Sequence, residues 1–323
     1  MTIEYKDSKR IIGLSTDTKP TNVETNSILV EKNNSKRYWF DGTNWITQHR
    51  AVLMGGNLTN VIQYFTIDTL GNTTDFGDIT QSVYDTAGCA SDTRAIRGGG
   101  FASNQTNVMD YVTIATTGDA TDFGDLTVAR NRLASFSNDT RGIWSGGSDV
   151  GGYNTIDYVT IASTGNATDF GDLTSTVEDP TGCANDTRGL TAGGNGNLNV
   201  ITYVTIASAG NATDFGDLTV GRRSAGASAN ATRAVFGGGG YGDVNTIDYV
   251  TVASTGNATD FGDLLGAIRQ LTGVGNSTRI VFCGGNLQNV MQYVTIDTPS
   301  NATDFGDLLA SSYGMAGASD YVR

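Results

Sequence analysis

The sequence predicts an all-β protein, a six-bladed β-propeller preceded by a small N-terminal β-hairpin module. Three observations lead there. The tetrapeptide DFGD starts at Asp75, Asp122, Asp169, Asp214, Asp260 and Asp304, in steps of 47, 47, 45, 46 and 44 residues, and a fixed period of this size marks an array of supersecondary units. Each period holds four short segments of strand character divided by turn residues, the content of one propeller blade. The composition agrees: 43 Gly, only 3 Pro and 16% charged residues suit short strands joined by tight turns.

The formal charge of −13 is unevenly placed. Every Lys lies within the first 36 residues, and from residue 50 onward 13 Arg face 26 Asp and the lone Glu178, a balance of −14. Such a body repels nucleic-acid phosphates and anionic membranes, so no nucleic-acid partner is expected. No apolar run reaches membrane length, and MTIEYKDSKR has no apolar signal core, so neither membrane insertion nor standard secretion is expected. Cys89 and Cys183 sit at equivalent points of different repeats, and there is no CxxC. Buried free thiols, made in a reducing cytosol, are the better reading of Cys89, Cys183 and Cys283.

Residues 1–49 do not repeat. Segments 21–30 (TNVETNSILV) and 36–46 (KRYWFDGTNWI) read as strands, the second folded by Asp41-Gly42, a strong hairpin turn signal. Trp39, Phe40 and Trp45 are too many large rings for a free tail; they are the candidates for packing on the array, on a copy of themselves or on another protein. The run TNSILVEKNNSKRYWFDGTNW resembles the short N-terminal segment of many phage tail-fibre and other virion-associated proteins. That resemblance implies attachment to other virion proteins through residues 1–49.

From Arg50 the array begins. The units align on Arg50, Arg94, Arg141, Arg188, Arg233 and Arg279. Each runs through a strand ending in Gly-Gly (RAVFGG at 233–238), a loop of varying length and an alternating strand (IDYVTVA at 247–253). The turn STGN follows, then ATDFGDL and a small-residue strand (SAGASA at 224–229). The Gly-Gly, the following Tyr and the later Arg resemble the kelch repeat over about 270 residues, with the Phe of DFGD where kelch carries a Trp. The resemblance implies that the small-residue strand is innermost, where crowding at the axis demands Gly, Ala and Ser, with the Gly-Gly strand beside it. The array opens on a Gly-Gly strand at 50–56 and ends on an orphan small-residue strand at 311–319. Pairing those two completes a sixth blade and leaves no free edge. The domains expected are therefore 1–49, a hairpin anchoring module, and 50–323, the closed propeller.

Alternating strand directions put the nearly invariant turns NDTR and TGNAT on one face. The connections after Gly-Gly and before the inner strand fall on the other. These vary: 101–107 (FASNQTN), 148–155 (SDVGGYNT) and 241–246 (YGDVNT) contrast with the short 57–60 and 286–289. Function favours variable loops on a rigid scaffold, and aromatic and Arg side chains are the usual anchors. The candidate target-binding residues are accordingly Tyr84, Phe101, Arg130, Arg132, Tyr153, Arg222, Arg223, Tyr241 and Arg269. The competing reading is sequence drift on a solvated surface.

The repeated motifs read as structural. Each DFGD Phe wedges between blades, its Gly permits a bulge or turn, and the flanking Asp cap backbone N–H groups. Ca²⁺ binding is the alternative for a DxxD pair such as Asp122 and Asp125, but the pair alone supplies too few of the six to eight oxygens that Ca²⁺ takes, so no cofactor is expected. The register Arg pair with Asp of their own or the next blade; an anion-binding ring is the alternative. The Asn-x-Thr triplets stabilise turns. Catalysis is poorly served: the only His is His49, and no GxSxG, HExxH or phosphate loop occurs. Abundant Asp leaves a carboxylate-pair glycosidase conceivable, yet these acids repeat six-fold and Glu178 alone breaks the pattern.

The expected function is that of a non-enzymatic virion structural protein. It is made in the host cytoplasm, held on the particle by residues 1–49, and displays the propeller as a fibre head or decoration toward a host surface glycan or protein. A homo-oligomer fits such a role. An intracellular kelch-type scaffold and a carbohydrate-active enzyme are the alternatives.

Overall fold

The computed structural model describes residues 4–7, 10–13, 18–23, 28–31, 37–40, 45–47 and 49–321. The chain divides into two compact units, Met1–His49 and Arg50–Arg323.

In the first unit β1 (Glu4–Asp7), β2 (Arg10–Gly13), β3 (Ile28–Glu31), β4 (Arg37–Phe40) and β5 (Trp45–Thr47) form one sheet in chain order. The expected hairpin is its last two strands, with Phe40 opposite Trp45. The turn at Asp41-Gly42 and the side chains of Trp39, Phe40 and Trp45 lie outside the described residues. The unit exceeds the hairpin expected from sequence: β1 and β2 are too short and too charged to show a period, and β2 joins β3 in parallel. Strand structure in the 21–30 segment begins only at Ile28.

The second unit is a closed ring of six four-stranded antiparallel sheets. The first blade is β6 (Arg50–Met54), β7 (Thr59–Thr66) and β8 (Thr74–Val83), completed from the far end of the chain by β29 (Ala316–Ser319). The second is β9 (Ala87–Ala90), β10 (Arg94–Gly98), β11 (Val108–Thr113) and β12 (Thr121–Asp125). The third is β13 (Ala134–Ser137), β14 (Arg141–Ser145), β15 (Tyr153–Thr160) and β16 (Thr168–Val177). The fourth is β17 (Thr181–Ala184), β18 (Arg188–Ala192), β19 (Val200–Thr205) and β20 (Thr213–Asp217). The fifth is β21 (Gly226–Ala229), β22 (Arg233–Gly237), β23 (Thr246–Thr251) and β24 (Thr259–Asp263). The sixth is β25 (Thr272–Gly275), β26 (Arg279–Cys283), β27 (Gln288–Thr295) and β28 (Thr303–Ser312).

Closure runs through β29 and β6, with Ala316 opposite Met54 and Ser319 opposite Ala51. The closing strand is shorter than the orphan segment in the sequence, because Ser311 and Ser312 finish β28. The inner strands surround a channel of about 140 Å³. Crowding there explains their composition: a Cβ on Gly273 would lie 2.6 Å from the Ala227 carbonyl oxygen.

The core lies between blades. Each of the six clusters of buried apolar side chains joins two neighbours, as where Ile96, Phe123 and Leu126 of the second blade meet Trp144 and Val159 of the third. Another joins Leu53 and Phe65 of the first blade to Val281 and Phe305 of the sixth. The DFGD Phe is the wedge in every blade, its ring set edge-on to the Tyr of the neighbouring strand, as with Tyr111 and Phe123 at 5.8 Å. The Gly of DFGD completes a bulge against that strand. At Gly124 a Cβ would lie 2.5 Å from the Gly165 carbonyl of the next blade.

That closeness marks a seam. Gly165 N–H donates to the Phe123 carbonyl (2.7 Å), Ala167 N–H donates to the Asp125 carbonyl (2.8 Å), and Asn166 Oδ1 accepts from Asp125 N–H (3.1 Å). Equivalent bonds join the sixth blade to the first, with Asn72 Oδ1 accepting from Asp307 N–H. The second acid of each DFGD thus serves the seam through its backbone N–H and carbonyl, where the sequence suggests a carboxylate cap.

The register Arg require a larger correction. Each stacks on the Tyr of its own blade and reaches a backbone carbonyl of the next. Arg94 lies 4.7 Å from the Tyr111 ring centre while its Nη1 donates to the Ile161 carbonyl at 3.0 Å. The Asp partner expected from sequence is replaced by an aromatic face and the unsatisfied carbonyl at a strand end. The Asn-x-Thr triplets before four of the register Arg are Asx turns, as where Asn138 Oδ1 accepts from Thr140 N–H (3.0 Å) and Arg141 N–H (2.9 Å), whereas Asn166 and its equivalents serve the seam.

Candidate functional site

The motifs repeated six times therefore belong to the frame. A candidate site must be sought where the blades differ, and the variable-loop face is where they do.

At the loop-face mouth of the channel each blade contributes one residue just before its inner strand: Asp85, Arg132, Asp179, Ser224, Gln270 and Gly314. All six have left-handed backbones, with φ from 51° to 62°. Only one is Gly, so five pay a conformational cost of about 1–3 kcal/mol each. Their backbones form a ring. Arg132 N–H donates to the Asp85 carbonyl (2.8 Å), Asp179 to Arg132 (3.0 Å), Ser224 to Asp179 (3.0 Å), Gln270 to Ser224 (2.8 Å) and Gly314 to Gln270 (3.1 Å). Thr86 N–H donates to the Gly314 carbonyl at 3.3 Å and closes the circle. The six-fold backbone thus presents side chains of differing chemistry around one opening.

Electrostatics at the mouth are paired. Arg132 Nε donates to Asp85 Oδ2 at 3.1 Å, Ser224 Oγ donates to Asp179 Oδ2 at 2.6 Å, and Arg223 Nε lies 3.9 Å from Asp179 Oδ2. Burial, reinforced by the nearby Asp179 charge, pushes the Asp85 carboxyl up to about 6, against the opposing pull of Arg132.

Around the ring stands a second tier. Tyr84 packs against Phe101 (5.4 Å) and Tyr313 (5.7 Å). Arg223 lies 3.6 Å from the ring centre of the exposed Tyr241, whose hydroxyl donates to Asn195 Oδ1 (2.7 Å). Asn195 Nδ2 in turn donates to Glu178 Oε2 at 3.3 Å, so the one array Glu sits in this tier. Arg269 Nη1 is 3.5 Å from Asp243 Oδ1.

Of the residues singled out in the sequence, Tyr84, Phe101, Arg132, Arg223, Tyr241 and Arg269 gather about the mouth. Tyr153 is the first residue of β15, opposite Val177, and bonds to Asp149 of the loop before it. Arg130 and Arg222 are not surface anchors. Both are fully buried and pair with equally buried acids, Arg130 with Asp157 at 2.9 Å and Arg222 with Asp248. Burial lowers the pKa of each guanidinium while its acid opposes that shift. An Arg in a loop reads as solvated, and only its buried partner reveals otherwise.

Sequence reasoning missed Asp85, Gln270 and Tyr313. Their signal is positional: they fall in register with Arg132 and Arg269, two and three residues before the inner strands. A further sign marks this face. Of nine exposed large apolar side chains among the described residues, only Leu70 lies in a seam turn. Leu58, Val150, Tyr241 and Leu287 stand in the loops after Gly-Gly, Val220 and Leu265 in the connections that follow β20 and β24, and Val200 and Leu309 toward the loop-face ends of their strands. Their concentration on one face makes that face the candidate interaction surface.

Comparison with protein-family models finds no match, and no curated protein matches the chain.

Proposed function

We propose that this chain is a non-enzymatic virion structural protein that displays a kelch-like propeller for adhesion or receptor binding. Residues 1–49 attach it to other virion proteins, and the loop face meets a host surface glycan or protein. The observation carrying the binding half is the division of labour in the ring: repeated residues hold the blades together, while the varied side chains and nearly all exposed apolar groups collect on the loop face. Support for the particle half comes from the N-terminal run that resembles virion-associated proteins, and from the antiparallel β4–β5 pairing that brings Phe40 opposite Trp45.

The test separates the halves. Deleting residues 1–49 is expected to remove the protein from purified particles while the propeller still folds. Tyr241→Ala and Arg223→Ala are expected to leave it on the particle and weaken adsorption to host cells. Cosedimentation of the truncated chain with particles at wild-type levels would contradict the anchoring role.

A further inference from the structure

We propose that the recess beside the axis, between the first, second and sixth blades, binds a neutral saccharide. This rests on reading the loop face as the binding face and names the ligand class for one part of it.

The recess is open and encloses about 500 Å³, room for one or two sugar rings. One wall is aromatic: Tyr84 and Tyr313, half-buried, meet edge to face with centroids 5.7 Å apart. The floor is the Asp85–Arg132 pair with Gln270 beside it. Across the opening stand Asn286, whose Nδ2 donates to Asp243 Oδ2 at 2.6 Å, and Leu287, which is 55% exposed. Asn286 and Leu287 have φ of 47° and 57°, so the chain holds an exposed leucine at the rim in a backbone state that disfavours it.

The charges select against ionic ligands. Arg132 faces Asp85, and Arg269 faces Asp243. Each cation of the recess thus has its own carboxylate, leaving neither a phosphate site nor an ammonium site. What remains is a close interleaving of donors and acceptors, two guanidinium groups, carboxylates and two amides, next to aromatic faces. A sugar hydroxyl is both donor and acceptor, and the C–H face of a sugar ring packs on an aromatic wall. A charged or wholly apolar ligand matches only half of this lining.

Saturation-transfer NMR on the full chain tests it. The probes are neutral di- to tetrasaccharides of hexoses and N-acetylhexosamines, compared with a sialylated trisaccharide and a mixed peptide pool. Transfer to one or more neutral sugars is expected, with affinity reduced at least tenfold by Tyr313→Asn and by Gln270→Ser, and unchanged by Leu70→Ala in a seam turn of the opposite face. Both recess variants install residues that other blades carry at the same points (Asn131 and Ser224), so the backbone is accommodated. Absence of transfer at millimolar sugar, or transfer indifferent to both variants, overturns the proposal. Transfer to peptide alone, sensitive to Tyr313→Asn, also overturns it yet keeps the loop face as a binding face. If Tyr241→Ala and both recess variants also leave host-cell adsorption intact, the loop-face reading itself fails.

Discussion

Asp110, in the third strand of its blade, is the cross-strand neighbour of Arg97, and both side chains are fully buried. The same acid recurs as Asp157 and Asp248, each with a buried Arg supplied from the preceding connection. Where no such Arg is present, the acid is absent too: Gln63, Thr202 and Gln292 occupy the equivalent points and are also buried. The array thus carries a buried charge only where its counter-charge exists. Five of these six sites also receive a bond from the preceding blade, such as Leu265 N–H donating to Gln292 Oε1 at 2.7 Å, while Thr202 Oγ1 donates to the Thr191 carbonyl of its own blade.

A double-mutant cycle tests this pairing. Asp110→Gln leaves the Arg97 guanidinium buried without its acid and is expected to cost about 3–5 kcal/mol. Adding Arg97→Leu recreates the Leu53–Gln63 pair of the first blade, and most of the loss is expected to return. Urea denaturation of the four proteins gives the coupling energy.

The seam makes two glycines of the second blade unequal. Gly124→Ala puts a methyl group against the Gly165 carbonyl, while a Cβ at Gly118 meets nothing within 4 Å, although both have φ near 150°. Gly124→Ala is expected to lower stability by about 2 kcal/mol or more beyond Gly118→Ala, as steric overlap adds to the shared backbone cost. Paired thermal melts decide it.

The register Arg act through a planar face and a directed N–H, which an ammonium lacks. Arg94→Lys is therefore expected to lose about 1–2 kcal/mol, nearly as much as Arg94→Ala. Full retention of stability in the Lys variant would show that charge alone matters there.

Asp85 makes stability depend on pH. Its carboxyl titrates near 6 when folded and near 3.8 when unfolded, so between those values the folded chain holds the extra proton. Stability from this group is highest at low pH and falls as pH rises through that window, by up to about 3 kcal/mol. Titration of the other acids adds its own slope, so the readout is a difference. Melting temperatures from pH 4 to 7.5 are expected to decline less steeply in Asp85→Asn than in the wild type.

The frame was legible in the sequence because its bonds repeat. DFGD, the Tyr of the alternating strand and the register Arg occur in every unit, and the orphan strand at the end announced closure. Partner identity was less legible: a period shows that Arg94 is needed, but not that it rests on Tyr111 and a carbonyl. The mouth was hidden for the opposite reason. Its ring is made by backbone, and its six side chains share no residue pattern that would mark a left-handed turn; only Gly314 does so by type. Arg130 and Arg222 looked like surface residues because their acids sit in strands that alternate like any half-buried strand. Reading Asp157 and Asp248 against Gln63 and Gln292 in register would have exposed them.

Cryo-electron microscopy of protein purified from its native source, without overexpression, addresses the central claim most directly. A six-bladed propeller is expected on a particle, attached through residues 1–49, with the mouth ring of Asp85, Arg132 and Gln270 turned outward. A free monomer, or a propeller docked on the particle by its loop face, would contradict it.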